Sequence, residues 1–134
     1  MTDYPSDDNE DVTFRFENAQ RFDGSKNGHY LNNTIIMRKS DGVITQLTGE
    51  TKNLTIVTFR NWVQYAEMDM SGTITIYAGT EDDPTLWDAV EPQVDVDEAE
   101  ATITYSCTLP NHSKIRLENR SGYAVYIYTM ASAA

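Results

Sequence analysis

The chain predicts an all-β fold, an antiparallel β-sandwich or jelly-roll-like single domain, on three observations. Short runs alternate apolar and polar residues, as in Thr73-Ile74-Thr75-Ile76-Tyr77 and Ala124-Val125-Tyr126-Ile127-Tyr128. A strand with one buried face needs that period of two, because successive side chains point to opposite sides. Clusters of Gly, Pro and Asp break the runs at spacings of about 8–12 residues, the rhythm of sandwiches and jelly rolls. Composition agrees: eight Tyr and 10% aromatic residues favour strands over a helical bundle, which would be built on Ala, Leu and Glu. At 134 residues the chain has the length for one core, burying roughly 65–70% of the surface its unfolded form exposes.

Residues 1–11 carry five acids, no base and little to bury, so they are expected as a flexible acidic arm that solubilises or orders against a neighbouring subunit. The sandwich is assigned to 12–130 and a short tail to 131–134. Val12-Thr13-Phe14-Arg15-Phe16 opens the folded part, and 17–33, with Asp23-Gly24 and Asn27-Gly28, reads as a long polar loop. The runs 34–38 and 43–47 flank Lys39-Ser40-Asp41-Gly42, and Asp-Gly between strands predicts a hairpin. A strand follows at 53–59. In 62–70, Trp62, Tyr65 and Ala66 have helical spacing whereas Ala66, Met68 and Met70 alternate; the second half is assigned to strand. Residues 72–77 form a strand, 80–84 a turn, 86–90 a short strand or turn around Trp87, and 92–100 an exposed connection. Strands at 101–107, 114–118 and 123–129 complete the set.

Net charge is −11, and no Lys or Arg occurs between Asn61 and His112, a stretch that holds eleven acids. Such a surface repels phosphate backbones and anionic lipid, so neither nucleic acid nor a membrane is an expected partner. No run of eighteen apolar residues predicts a membrane-spanning helix, and the start Met1-Thr2-Asp3-Tyr4-Pro5 is not that of a secretory signal. The lone Cys107 rules out a disulfide within the chain and reads as a small buried apolar residue.

Chemistry-bearing patterns are sparse. His29 and His112 sit in loops without a metal-ligand spacing, and neither a Gly-x-Ser-x-Gly elbow nor a phosphate-binding loop occurs. No cofactor is expected. Calcium would be served best by Asp82 and Asp83 or by Asp95 and Asp97, although neither pair lies in the pattern of a dedicated calcium loop. A sugar is the alternative ligand: Trp62, Trp87, Tyr30, Tyr123, Tyr126 and Tyr128 supply rings, and Asn61, Asp88 and Asn119 supply hydrogen bonds. The competing account places Trp87 and the tyrosines in core and interface, as strand aromatics commonly are. The triplets at Asn32, Asn53, Asn111 and Asn119 match the glycosylation pattern but read as incidental.

The order Ser71-Gly72-Thr73-Ile74-Thr75-Ile76-Tyr77, then Thr85-Leu86-Trp87-Asp88-Ala89-Val90, Leu109-Pro110-Asn111-His112-Ser113-Lys114-Ile115-Arg116-Leu117-Glu118-Asn119, and Ser121-Gly122-Tyr123-Ala124-Val125-Tyr126-Ile127-Tyr128 resembles the small β-sandwich modules of tailed-phage virion proteins, among them capsid decoration, head-fibre and tail-associated domains. The chain departs from that pattern at Glu81-Asp82-Asp83-Pro84, where such modules carry Asp-Gly-Gly. The resemblance implies a non-catalytic virion component, assembled in the host cytoplasm, that forms a homo-oligomer, trimer favoured, on a viral capsid or tail protein. Rigid aromatic rings make contacts at low entropic cost, so Tyr4, Phe14, Phe16, Tyr30, Trp62, Trp87, Tyr126 and Tyr128 are the expected partner-binding residues.

Overall fold

The computed structural model describes residues 2–5, 12–22, 34–59, 73–99 and 102–133. Among the described residues, twelve strands make two six-stranded sheets, antiparallel throughout and packed face to face. The first sheet has the order β1-β2-β5-β11-β7-β8, where β1 is Thr2–Pro5, β2 Thr13–Glu17, β5 Gly42–Thr48, β7 Thr75–Gly79, β8 Asp88–Val90 and β11 Lys114–Asn119. The second has the order β3-β4-β12-β6-β10-β9, with β3 Ala19–Phe22, β4 Thr34–Met37, β6 Asn53–Phe59, β9 Gln93–Asp97, β10 Thr102–Thr108 and β12 Val125–Ala133. The predicted antiparallel sandwich is therefore the observed one.

Alternation sets the core. Phe14 and Phe16 of β2, Ile44 of β5, Ile76 of β7 and Ile115 and Leu117 of β11 face Met37 of β4, Leu54 and Ile56 of β6, Tyr105 of β10 and Ile127 of β12, all buried. One interruption preserves this pattern. Between Ile127 and Thr129 the β12–β6 register slips by one residue, and Met130 is buried although it stands three residues, not two, after the buried Ile127. Cys107, expected to be buried, is half-buried against the core, and burial pushes its thiol pKa up.

Several elements differ from expectation. The turn at 39–42 reverses the chain, with Gly42 N–H donating to the Arg38 carbonyl at 3.0 Å, but it joins β4 of one sheet to β5 of the other and makes no hairpin. Asp-Gly reports a reversal, whereas pairing is decided by which neighbour covers each strand. The left-handed residue is Ser40 (φ 72°); Gly42 is needed for close approach, since a Cβ there would meet Arg38 backbone and Met37 at 2.9 Å. The loop expected over 17–33 contains β3, which the left-handed Asn18 (φ 51°) allows to leave β2 for the opposite sheet. The connection expected over 92–100 contains β9. Residues 86–90 resolve into a 3-10 turn, Pro84–Leu86, followed by β8. Thr2–Pro5, expected within a flexible arm, pair with β2 as an edge strand, and 131–133, expected as a tail, extend β12 along β6. The strand expected in the second half of 62–70 lies outside the described residues.

Candidate functional site

Each end of the sandwich is closed by one buried amide. At one end Asn119, 0% exposed, divides its two Nδ2 hydrogens among the carbonyl oxygens of Tyr123 (2.9 Å), Arg38 (3.2 Å) and Met37 (3.3 Å). Its Oδ1 accepts from Ser121 N–H (3.0 Å) and the Ser121 hydroxyl (2.6 Å). It thereby ties β11 of one sheet to the end of β4 in the other. Having no exposed atom surface, it is available neither to a sugar nor to glycosylation. At the opposite end the Gln46 Oε1 accepts from the Thr51 hydroxyl (2.8 Å) and Ile115 N–H (3.1 Å), while its Nε2 donates to the Thr48 carbonyl (3.1 Å). Buried amides are stabilising only when they are hydrogen-bonded; here each oxygen accepts two bonds and each nitrogen donates.

The Asn119 end supports a cleft of about 540 Å³ on the outer face of the second sheet. Tyr126 of β12 and Ile36 of β4 are opposite one another in register and give the cleft its apolar floor; Asn18, Gln20, Arg38 and Lys39 bring amides and two cations to its lining. The turn carrying the cations is fixed from several sides: Arg38 N–H donates to the Asn18 carbonyl (2.9 Å), Ser40 N–H to the Ser121 carbonyl (2.9 Å), and Asn18 Nδ2 to the Asp41 carbonyl (3.3 Å). Arg38 also pairs with Asp41 at 3.3 Å, both well exposed. On a chain of net charge −11, this is an aromatic surface flanked by positive charge. Of these residues only Tyr126 is singled out by sequence reasoning. A signal for the others was present, since Arg38-Lys39 is the only adjacent pair of basic residues in the chain.

A second recess, about 230 Å³, lies on the outer face of the first sheet between Tyr77, Pro84, Thr85, Trp87, Arg116, Glu118 and Arg120. Glu118 is buried beneath two arginines: Arg120 Nε donates to its Oε1 at 2.6 Å, and Arg116 Nε lies 3.0 Å from Oε2 as an ion pair without hydrogen-bond alignment. Arg120 also sits 5.8 Å above the centre of the Tyr77 ring. Trp87 folds back over β7. Its indole N–H donates to the Glu81 carbonyl at 2.8 Å, and a Cβ on Gly79 would come within 2.3 Å of its ring.

The expected contact residues divide accordingly. Tyr126 is half-buried in the cleft wall. Phe14 and Phe16, 1% and 2% exposed, are core residues, because the parity of β2 turns both inward. Trp87, 6% exposed, is covered by its own turn and the sheet beneath. These three rings are not presented to a partner. Tyr4 lies in β1 and Tyr128 at the β12 register slip, while Tyr30 and Trp62 lie outside the described residues.

The acidic and titratable groups hold ordinary structural places. Asp83, one of the acids that would serve calcium best, caps the 3-10 turn: its Oδ1 accepts from Thr85 N–H (3.0 Å) and the Thr85 hydroxyl (2.7 Å), which lowers its pKa. Asp82 is exposed beside it, and Asp95 and Asp97 belong to β9. Among the described residues no three His, Cys, Asp or Glu side chains cluster closely enough to hold a metal ion, and no helix is long and apolar enough to cross a membrane. His112, left-handed at φ 66°, holds Glu50 with Nδ1 at 2.6 Å; that hydrogen bond and the carboxylate charge raise its pKa. His29 lies outside the described residues. Comparison with protein families, with curated proteins and with solved structures finds no match to this chain.

Proposed function

We propose that this protein is a non-catalytic interaction protein, most concretely a capsid decoration protein or similar accessory component of a tailed-phage particle, working as an oligomer on a capsid or tail surface. The observation that carries the reading is the cleft: a tyrosine and an isoleucine floor with Arg38 and Lys39 at its margin, held on a turn that hydrogen bonds fix from both sheets. A preorganised ring flanked by cations suits recognition of an acidic, partly apolar protein surface, and needs little ordering on binding. The resemblance of residues 72–128 to phage β-sandwich modules gives the reading its biological setting.

A sugar is the second reading, favoured by Tyr126 beside the Asn18 and Gln20 side chains, since a ring face with neighbouring amides is a serviceable saccharide platform. Light scattering separates the two. A discrete trimer or larger assembly that Tyr126→Ala and Arg38→Glu weaken supports the oligomeric accessory protein. A monomer at all concentrations that binds a glycan array through Tyr126 overturns it in favour of the sugar reading.

A further inference from the structure

The four sheet edges are not equally protected. An edge strand offers unpaired backbone groups to any extended chain, and proteins blunt this with short strands, Pro, or charges on the core-facing row. Among the described residues, β8 has three residues and β1 ends in Pro5. β3 is four residues long and includes a charged residue, Arg21, in register with Ile35. β9 carries its charges, Asp95 and Asp97, only on the row opposite its valines. It is five residues long without Pro, every residue is exposed, and β10 is its one described neighbour.

Its faces are sorted by chemistry. Val94 is opposite Tyr105 and Val96 opposite Ile103, so both valines continue the core-facing row, yet they are 50% and 51% exposed. Asp95 points to the other face. We propose that β9 is a docking edge that takes an extended segment of another protein as a further strand, with apolar side chains beside Val94 and Val96 and a Lys or Arg against Asp95. Main-chain hydrogen bonds would supply the pairing and the two rows the selectivity. A second copy of β9 is a poor occupant. Of the antiparallel registers that pair the valine row, Val94 with Val96 and Val96 with itself set Asp95 against Asp95 or Asp97, and like charges directly opposite repel; Val94 with itself sets Val96 against Pro92, which has no amide to donate. The inference deepens the interaction reading by naming an edge and the chemistry of its partner.

The test uses the full chain, isotope-labelled, titrated with the capped peptide Thr-Lys-Val-Lys-Val-Thr and with its counterpart carrying Glu in place of both Lys. The expected result is amide shift changes and slowed hydrogen exchange centred on β9, with the lysine peptide binding at least about tenfold more tightly and losing affinity as salt rises. Val96→Lys, a change at a half-exposed site, should weaken binding about tenfold, and Asp95→Lys should reverse the preference between peptides. The proposal is overturned if the lysine peptide leaves β9 unperturbed at about 1 mM, if both peptides bind alike, or if β9 exchange slows with protein concentration alone, which would mean self-pairing. Because the readout involves no particle and no oligomer, a monomeric chain that still binds the lysine peptide loses the virion reading and keeps this one.

Discussion

The two edges of the second sheet are built from strands of four and five residues and end in opposite situations. Beside β3 the surface is held in place: Asn119, Asn18 and Ser121 hydrogen-bond the turn that carries Arg38 and Lys39, and the cleft forms on that frame. At β9 every residue is exposed, and its apolar row stands half in water. A binding surface can thus be made in two ways, by fixing side chains beforehand or by leaving a backbone ladder open for completion.

The comparison is broken most severely at Asn119. Asn119→Ala should cost about 2–4 kcal/mol in urea denaturation, because it removes at once the amide's bonds to the Met37, Arg38 and Tyr123 carbonyls and those it accepts from Ser121; a loss under about 0.5 kcal/mol, the scale of a surface substitution, would show that water replaces the amide and that the cleft is not braced. Gly79→Val comes next. It forces a side chain into the Trp87 ring, and overpacking of this kind costs roughly 1–3 kcal/mol, so an unchanged denaturation midpoint would mean that Trp87 moves freely off β7. At β9 the expectation is opposite: Val96→Lys should change stability by no more than about 0.5 kcal/mol, and a large loss would show the valine row to be packed in the free protein.

The smallest effect is electrostatic and lies at the Gln46 end. His112 has a folded pKa raised by Glu50, so its contribution is present below its unfolded value of about 6.5 and is lost as pH rises through the raised folded value. An NMR titration should place His112 above that reference, and Glu50→Gln should return it; a His112 that titrates at or below the reference would mean that the pair does not persist in solution. Asp83 carries the opposite sign. Its pKa is lowered by Thr85, so its contribution is lost as pH falls through the lowered value.

Much of the fold was legible because burial writes itself into a strand as alternation. The runs that became β2, β5, β6, β10 and β11 alternate on the page and in the core. β9 was hidden because both of its faces are exposed, which removes the burial contrast, although Val94-Asp95-Val96-Asp97 does alternate. The turn at 39–42 was read as a reversal, but its strands belong to different sheets, and pairing depends on residues distant in sequence. The cleft was less legible still. Gln20, Tyr126 and Arg38 meet through β3–β4 and β4–β12 pairing, which no local pattern reports.

By itself the sequence determined the all-β class, the alternation within most strands and the acidic balance of the chain, because these follow from side-chain chemistry and a two-residue period along one stretch of chain. Only the tertiary structure decided that Phe14, Phe16 and Trp87 are enclosed, that Asn119 braces one end and that β9 is left open. Each of these depends on which strand lies next to which, and that is settled by the joint burial of residues brought together from distant parts of the chain.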